Sequence, residues 1–306
     1  MLSKSTVLIL GAGASQPYGF KTGREQLDWA RATPDLLDEI KPVIPMYAPQ
    51  LASVLRDTGE RSIDAMLRAD SPLLPAAKTL MARDLLRAER RLIPPPAEQP
   101  TYWYRTLYDA LPRRTLEEFR RAPLVIYTFN YDRSLDYFLW RASVAAFPMA
   151  TSAQIAEALD CIGPFHLHGQ LGRLYPESNG AGPVVEFGGE TGGAAEITNS
   201  DAQAAGSQIK LISETYATDD CFVRAQQAIS AAEQLVFLGF GFHPDNLGKL
   251  RLQGCLRQQT AVFASAYGVT QHQTAHLSNK YGFNGSFGHE SEGISRFLAM
   301  NPRILD

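Results

Sequence analysis

Cysteine is scarce in this sequence, and its three cysteines, Cys161, Cys221 and Cys255, lie far apart. The absence of any C-x-x-C pair argues against a four-cysteine zinc module and against the disulfide framework of a small secreted domain. A chain of 306 residues can bury a core without covalent links. We therefore expect a reduced, cytoplasmic setting and no bound metal.

Long apolar runs and dense charge of one sign are missing as well. No segment approaches the roughly 20 apolar residues of a membrane span, and residues 1–6 show no signal-peptide pattern. The 29 Lys and Arg residues nearly balance the 32 Asp and Glu residues, and no basic run is suited to a phosphate backbone. We expect neither a membrane segment nor direct nucleic-acid binding.

The sequence does contain short, continuously apolar segments separated by helical patterns, which indicate strands covered on both faces by helices. The segments are Thr6–Leu10, Leu124–Thr128 and Gln234–Leu238, with weaker ones at Ala261–Ala264 and 164–167. They predict an α/β fold in which one domain, residues 1–306, contains a Rossmann-like, doubly wound, mostly parallel sheet. Such sheets bind ligands outside the carboxyl ends of their strands.

Two stretches interrupt this pattern. Residues 24–121 consist of helical patterns and proline breaks, which predict an inserted helical subdomain on one side of the cleft. Residues 179–206 are rich in Gly and Ala, with a weak strand pattern at 183–187. They predict a flexible surface loop, and their position soon after His168 makes them a candidate active-site flap.

The first chemical signal is a glycine-rich loop, residues 11–15, directly after the first strand. Its glycines let backbone approach a pyrophosphate, and a helix start beyond would hold the anion; the alternative is a simple tight turn. Gln16 replaces the third glycine of the dehydrogenase fingerprint, and no second strand follows. The loop therefore indicates a dinucleotide or phosphate and argues against hydride transfer.

The second signal follows the second strand, where Asn130 and Asp132 occur. An amide at this edge can orient a ribose hydroxyl or a water because it both donates and accepts hydrogen bonds. The alternative is that these residues cap the helix that begins near Asp132.

The third signal is the pair His166 and His168, followed by Gly169. Alternation along a strand would place both rings on one face. A metal site is disfavoured because no third ligand occurs at a suitable spacing. His168 is either a catalytic residue or a histidine of the core whose hydrogen bonds are satisfied.

The fourth signal is a second glycine-rich turn, with Gly239 and Gly241, before a helical pattern. It repeats the arrangement of the first loop and is suited to the other half of a dinucleotide. A turn capped near Asp245 is the alternative.

Taken in order, these motifs resemble those of the SIR2-like family, bacterial relatives of the sirtuins. The matching segments are G-A-G-A-S at 11–15, T-F-N-Y-D at 128–132, H-L-H-G at 166–169 and L-G-F-G-F-H at 238–243. The segment S-I-D-A-M-L at 62–67 is similar to the defence-associated branch of the family. The resemblance covers most of the chain.

The resemblance implies NAD⁺ as the ligand. The residues that it places at the nucleotide are Gly11, Ala12, Gly13, Ser15 and Asp132. It places Asn130 and His168 at the nicotinamide ribose as catalytic residues, with His168 as the base. The missing zinc module and Phe129, which replaces a glutamine, argue against protein deacylation and are features of SIR2-like NAD⁺ hydrolases of anti-phage systems.

The sequence is therefore interpreted as an NAD⁺ glycohydrolase, the NAD⁺-depleting effector of a bacterial defence system. The alternatives are a non-catalytic module that binds NAD⁺ or a related nucleotide, and a zinc-free deacylase or ADP-ribosyltransferase. We also expect activity to depend on a homo-oligomer or on an activating partner protein, because an unrestrained NAD⁺ hydrolase would deplete its own cell.

Overall fold

A computed structural model describes residues 2–33, 47–93, 102–177, 182–189 and 197–306. Its core is one six-stranded sheet in which every paired strand is parallel. The strands are β1 (Thr6–Leu10), β2 (Leu124–Thr128), β3 (Phe165–His166), β4 (Gln234–Leu238), β5 (Ala261–Ala264) and β6 (Ser286–Phe287). This arrangement confirms the predicted Rossmann-like α/β fold.

The strand order is β3-β2-β1-β4-β5-β6, so the chain order reverses direction between β1 and β4. Ligands of doubly wound sheets bind at this switch point, beyond the carboxyl ends of the strands. Leu10 pairs with Thr128 of β2 and with Leu238 of β4. The three polar or glycine-rich turns that follow these strands therefore start side by side.

Burial on both faces of β1 explains why its sequence is continuously apolar. Val7 and Ile9 belong to a core that includes Phe222, whereas Leu8 and Leu10 belong to a core that includes Trp103. Neighbouring residues of a strand point to opposite faces, so each face of the sheet needs its own apolar set.

The described part of the predicted helical insertion contains helices and turns and no strand. Its helices are α1 (Gly23–Ala32), α2 (Ala48–Asp57), α3 (Ile63–Met66), α4 (Leu74–Arg91), α5 (Tyr104–Ala110) and α6 (Leu116–Arg120). The later helices are α7 (Ser134–Ala146), α8 (Ser152–Ile162), α9 (Asn199–Gly206), α10 (Asp220–Ala231), α11 (Pro244–Leu250), α12 (Leu252–Cys255), α13 (Gln271–Tyr281) and α14 (Ile294–Met300). Capping boxes begin α1, α8 and α13 and satisfy their first backbone N–H groups.

The prediction of a flexible loop over 179–206 is wrong for residues 199–206, which form α9. Thr198 caps this helix by accepting a hydrogen bond from the Asp201 N–H. Ala202 and Ala205 are fully buried, and a Cβ on Gly206 would lie 2.9 Å from the Lys78 carbonyl carbon. The small residues, whose abundance predicted a loop, instead allow α9 to lie close against α4. Residues 178–181 and 190–196 lie outside the described residues.

Three smaller differences concern strands. The strand predicted at 164–167 contains only Phe165–His166. The weak strand pattern at 183–187 forms a single bridge, between Val184 and Arg173. The short edge strand β6 has no apolar run and was not predicted, because it is defined by its pairing with β5.

A buried ion pair joins the insertion to the turn after β2. Arg133 and Glu89 of α4 are both fully buried, and Arg133 Nη2 lies 2.6 Å from Glu89 Oε2. Arg133 also donates to the carbonyls of Val185 and Glu186, and Glu89 accepts the N–H of Gly188. This ion pair thus joins three segments, namely α4, the turn after β2 and residues 185–188, and its polar atoms have hydrogen-bond partners.

We expect Glu89→Ala to lower the free energy of unfolding by about 3–5 kcal/mol, because it leaves the Arg133 guanidinium buried and uncompensated. Urea denaturation measures this loss. Glu117→Ala, which removes an exposed partner of Arg121, is the matched control and should cost less than about 1 kcal/mol. Equal losses in the two variants would contradict this account.

Candidate functional site

The two glycine-rich turns pack directly against each other at the switch point. Gly11 N donates to the Leu238 carbonyl at 3.1 Å, and Gly13 N donates to the Gly239 carbonyl at 3.0 Å. Gly239 has a φ of +59°, and a Cβ there would lie 2.0 Å from Ala14 N. A Cβ on Gly11 would lie 2.7 Å from the Gly239 carbonyl oxygen, whereas one on Gly13 would be tight at 3.0 Å. Gly11 and Gly239 are therefore required by backbone packing, as the tight-turn interpretation of these motifs predicts.

The first glycine loop is not followed at once by an α-helix. Two 3-10 turns, Ala12–Ala14 and Gln16–Tyr18, separate it from α1, which begins at Gly23. The expected helix start next to the loop is therefore absent from the described chain. Anion binding here would rely on loop N–H groups and nearby cationic side chains more than on a helix dipole.

A cavity of about 210 Å³ lies where these turns meet the helical insertion. Among the residues singled out in the sequence, those that line it are Gly11, Ala12, Asn130, Asp132 and Gly241. The cavity residues that were not predicted as site residues include Lys21, Gln26, Tyr131, His243 and Asn246. The remaining predicted site residues, Gly13, Ser15, His168 and Gly239, lie outside its lining and belong to the surrounding structure.

Asn130 lines the cavity and has a fully buried hydrogen-bonding atom without a partner. Its Nδ2 donates to Ser15 Oγ at 3.0 Å, and its backbone N–H donates to Thr128 Oγ1 at 3.0 Å. The side chain is 8% exposed, and Oδ1 accepts no hydrogen bond. A buried carbonyl oxygen without a donor costs about 1–3 kcal/mol. The first glycine loop thus orients an amide whose oxygen can accept a hydrogen bond from a ligand.

Asp132 has a local structural role. Its Oδ1 accepts hydrogen bonds from the Ser134 N–H and the Ser134 hydroxyl, at the first residue of α7. Burial raises the pKa of this carboxyl, and the Ser134 contacts oppose that rise. Asp132 thus satisfies the first backbone N–H of α7 from the position before the N-cap, which is Arg133, and it also lines the cavity.

His168 is buried behind the cavity wall, with both ring nitrogens engaged. Nε2 lies 3.2 Å from Asn246 Oδ1, and Nδ1 lies 3.0 Å from Thr215 Oγ1. Because an amide oxygen only accepts, we assign the proton to Nε2. Burial and the nearby Lys249 ammonium lower the pKa of His168 to about 4. At neutral pH it is a neutral ring.

His166 has different partners, because β3 ends at this residue and strand alternation does not extend to His168. Nδ1 donates to the Asn130 carbonyl at 2.7 Å, and Nε2 lies 3.3 Å from the Asp136 carboxylate. Burial lowers the pKa of His166, but the charge and hydrogen bond of Asp136 outweigh it and raise the pKa overall. His166 thus supports the backbone of Asn130.

Two charged cavity residues were not identified from the sequence. Lys21 lies 2.5 Å from Asp84 Oδ1 and stacks over the Trp29 ring. Asp64 accepts a hydrogen bond from the Tyr131 hydroxyl at 2.8 Å, and burial raises its pKa to about 6. Lys21 closely follows the glycine loop and Asp64 lies in the 62–67 motif, but neither signal alone indicated a cavity.

A larger cavity of about 500 Å³ lies beside the edge strand β3. Its lining includes the stacked rings of Trp140 and Tyr175, together with Arg224 and His166. It contains neither glycine loop and lies away from the switch point. The smaller cavity is the better candidate, because it combines the switch point with the unpaired oxygen of Asn130.

Comparison with protein-family models gave no match, and a search of curated proteins found no similar sequence. The resemblance to SIR2-like proteins thus rests on the motifs. None of the helices in the described ranges has the length and apolar character to cross a membrane. Within the same ranges, no three His, Cys, Asp or Glu side chains are grouped as metal ligands.

The contact between the two glycine turns can be tested by a matched pair of substitutions. Gly239→Ala should destabilise the fold by about 1–3 kcal/mol or more, because the new Cβ meets backbone and φ is positive. Gly241→Ala should leave the melting temperature nearly unchanged, since a Cβ there meets nothing within 4 Å. Thermal unfolding measures both. A tolerated Gly239→Ala would contradict the described packing.

Proposed function

We propose that this chain binds NAD⁺ at the switch-point cavity and hydrolyses it to nicotinamide and ADP-ribose. The observation that carries the proposal is the buried Oδ1 of Asn130, which has no donor although Ser15 holds the amide in place. A ribose hydroxyl is a donor of the required kind. Its hydrogen bond would offset the penalty of the unpaired oxygen.

The other polar groups of the cavity suit the remaining parts of a dinucleotide. Gly11 and Ala12 present loop backbone, and Lys21, which is paired with Asp84, is the cationic side chain of the lining. These are the groups that bind a diphosphate in glycine-rich turns. At about 210 Å³, the cavity is smaller than the 300–1,000 Å³ typical of ligand clefts. It would enclose part of the dinucleotide and leave the rest in its mouth.

The chemistry of the bond suits a site with few catalytic groups. Nicotinamide leaves NAD⁺ as a neutral ring, since the bonding electron pair neutralises the pyridinium. Little acid assistance is needed for that departure. The site must instead orient the ribose, tolerate positive charge on it and admit water, and the Asn130 amide and cavity carboxylates are suited to these tasks.

A second candidate, a module that binds NAD⁺ without cleaving it, is favoured by one observation. His168, the base implied by the family resemblance, has both nitrogens engaged and a pKa lowered to about 4. A purely structural histidine would be found in this state. Release of nicotinamide separates the two candidates, because binding alone leaves NAD⁺ intact.

Asn130→Ala should reduce nicotinamide release on the order of 10²-fold, the scale seen when one oriented hydrogen-bonding group is removed from an active site. Chromatographic measurement of nicotinamide and ADP-ribose gives the rate. Asn284→Ala is the control, since Asn284 is exposed and outside the cavity lining. Full activity of the Asn130 variant would show that Asn130 is not part of the active site. NAD⁺ that stays bound and uncleaved by the unaltered chain would support the binding module.

The proposed biological role is an effector that depletes NAD⁺ during defence against phage, restrained until it assembles or meets a partner protein. Turnover per chain should then increase with protein concentration, because assembly would order the cleft. A dilution series with a fixed amount of NAD⁺ measures this dependence. High turnover that stays constant down to the most dilute monomer would exclude control by self-assembly.

A further inference from the structure

Asp64 is held at the cavity by a short, well-anchored helix. Ser62 caps α3 by accepting the Ala65 N–H at 3.2 Å, and Ile63 is buried in the core of the insertion. The start of α1 packs against this cap, since a Cβ on Gly23 would lie 2.9 Å from Ser62 Cβ. The backbone that leads into Asp64 is therefore constrained.

One oxygen of the Asp64 carboxylate is occupied and the other is not. Oδ1 accepts the hydrogen bond from Tyr131, the residue that follows Asn130. Oδ2 has no hydrogen-bond partner in the part of the chain that the structure describes. Asp64, Tyr131 and Asn130 all line the same cavity. An unoccupied carboxylate oxygen thus shares a small space with the unpaired amide oxygen.

The other acidic groups near the cavity are already engaged, and the lining residue His243 has an exposed ring that lies 4.0 Å from the Asp245 carboxylate. Asp132 accepts from Ser134, and Asp84 is bound by Lys21 and Gln26. His168 has a partner on each ring nitrogen. Asp64 is the half-buried cavity carboxylate whose second oxygen remains available for proton transfer.

We propose that Asp64 is the general base of the hydrolysis and accepts the proton of the attacking water. This inference rests on the proposed function. The water oxygen bonds to C1′ of the nicotinamide ribose as the C1′–N bond breaks. The electron pair of the C1′–N bond stays with nicotinamide. The water proton passes to Asp64 Oδ2 and then to solvent. No other reactant is required.

The surroundings of Asp64 support this role at neutral pH. Burial raises its pKa to about 6, whereas the Tyr131 hydrogen bond and the Lys249 charge oppose the rise. A base with a pKa near the working pH is effective and is still ionised at pH 7. The charged groups on the elements packed against α3 are Arg24, Glu25, Asp28 and Arg31 of α1 and Glu214, which pairs with Lys78.

The test compares the unaltered chain with Asp64→Asn, which keeps the shape and an acceptor for Tyr131. We expect kcat to fall about 10²- to 10⁴-fold, the usual contribution of a general base. For the unaltered chain, kcat/KM should decrease as pH falls below about 6, where Asp64 becomes protonated. The residual rate of Asp64→Asn should lack this decrease. NAD⁺ binding, measured by calorimetry, should change less than about 3-fold.

Thermal stability distinguishes a catalytic role of Asp64 from a structural one, because only a structural role would lower the melting temperature of the variant. The pKa of Asp64 is raised in the folded state, so the folded state binds its proton more tightly than the unfolded chain does. The free energy of unfolding therefore falls as pH rises from about 4 to about 6, and it stays lower at pH 7. Asp64→Asn removes that loss, so its melting temperature at pH 7 should be equal or higher. Asp64→Glu should recover part of kcat, and Asp70→Asn, at an exposed carboxylate, should behave like the unaltered chain.

The outcomes separate the two proposals. If the unaltered chain releases nicotinamide and Asp64→Asn does so equally well with the same pH profile, Asp64 is not the base and the hydrolase proposal stands. A variant that unfolds or loses NAD⁺ binding would assign Asp64 a structural role and overturn the inference. If the unaltered chain binds NAD⁺ but releases no nicotinamide at any pH or protein concentration, both proposals fail.

Discussion

The buried ion pair between Arg133 and Glu89 is the interaction on which the cavity depends. Arg133 follows the Asn130 turn directly, while Glu89 belongs to the long helix α4 of the insertion. Burying two charges is expensive, and only close geometry with complete hydrogen bonding compensates for it. Arg133 meets these conditions by donating to Glu89 and to backbone carbonyls of the 185–186 segment. The pair therefore joins the turn after β2 to the helices that cover it.

The two glycine turns form the other fixed part of the site. Gly11 and Gly239 allow contacts between backbones that a Cβ at either position would prevent. Ser15, which follows the first turn, then reaches the amide of Asn130. The loop that resembles a phosphate-binding motif thus also orients the amide after the neighbouring strand.

Desolvation shifts the pKa values of His168 and Asp64 in opposite directions. His168 is kept neutral because its environment disfavours the charged ring. The same desolvation raises the pKa of Asp64 towards neutrality. Low polarity thus weakens the histidine as a base and strengthens the carboxylate. This opposite effect supports the proposal that Asp64, which lines the cavity with one carboxylate oxygen unoccupied, is the base in place of His168.

The sequence by itself determined the parallel sheet, because strands buried on both faces must be continuously apolar and four of them could be located to the residue. It also located Asn130, since a polar residue after a buried strand lies where such sheets bind ligands. Only the tertiary structure brought Lys21 and Asp64 to the cavity, placed His168 behind its wall and made α9 a packed helix. These features depend on contacts between segments far apart in the chain, such as Asp64 with Tyr131. Local sequence patterns do not predict such contacts.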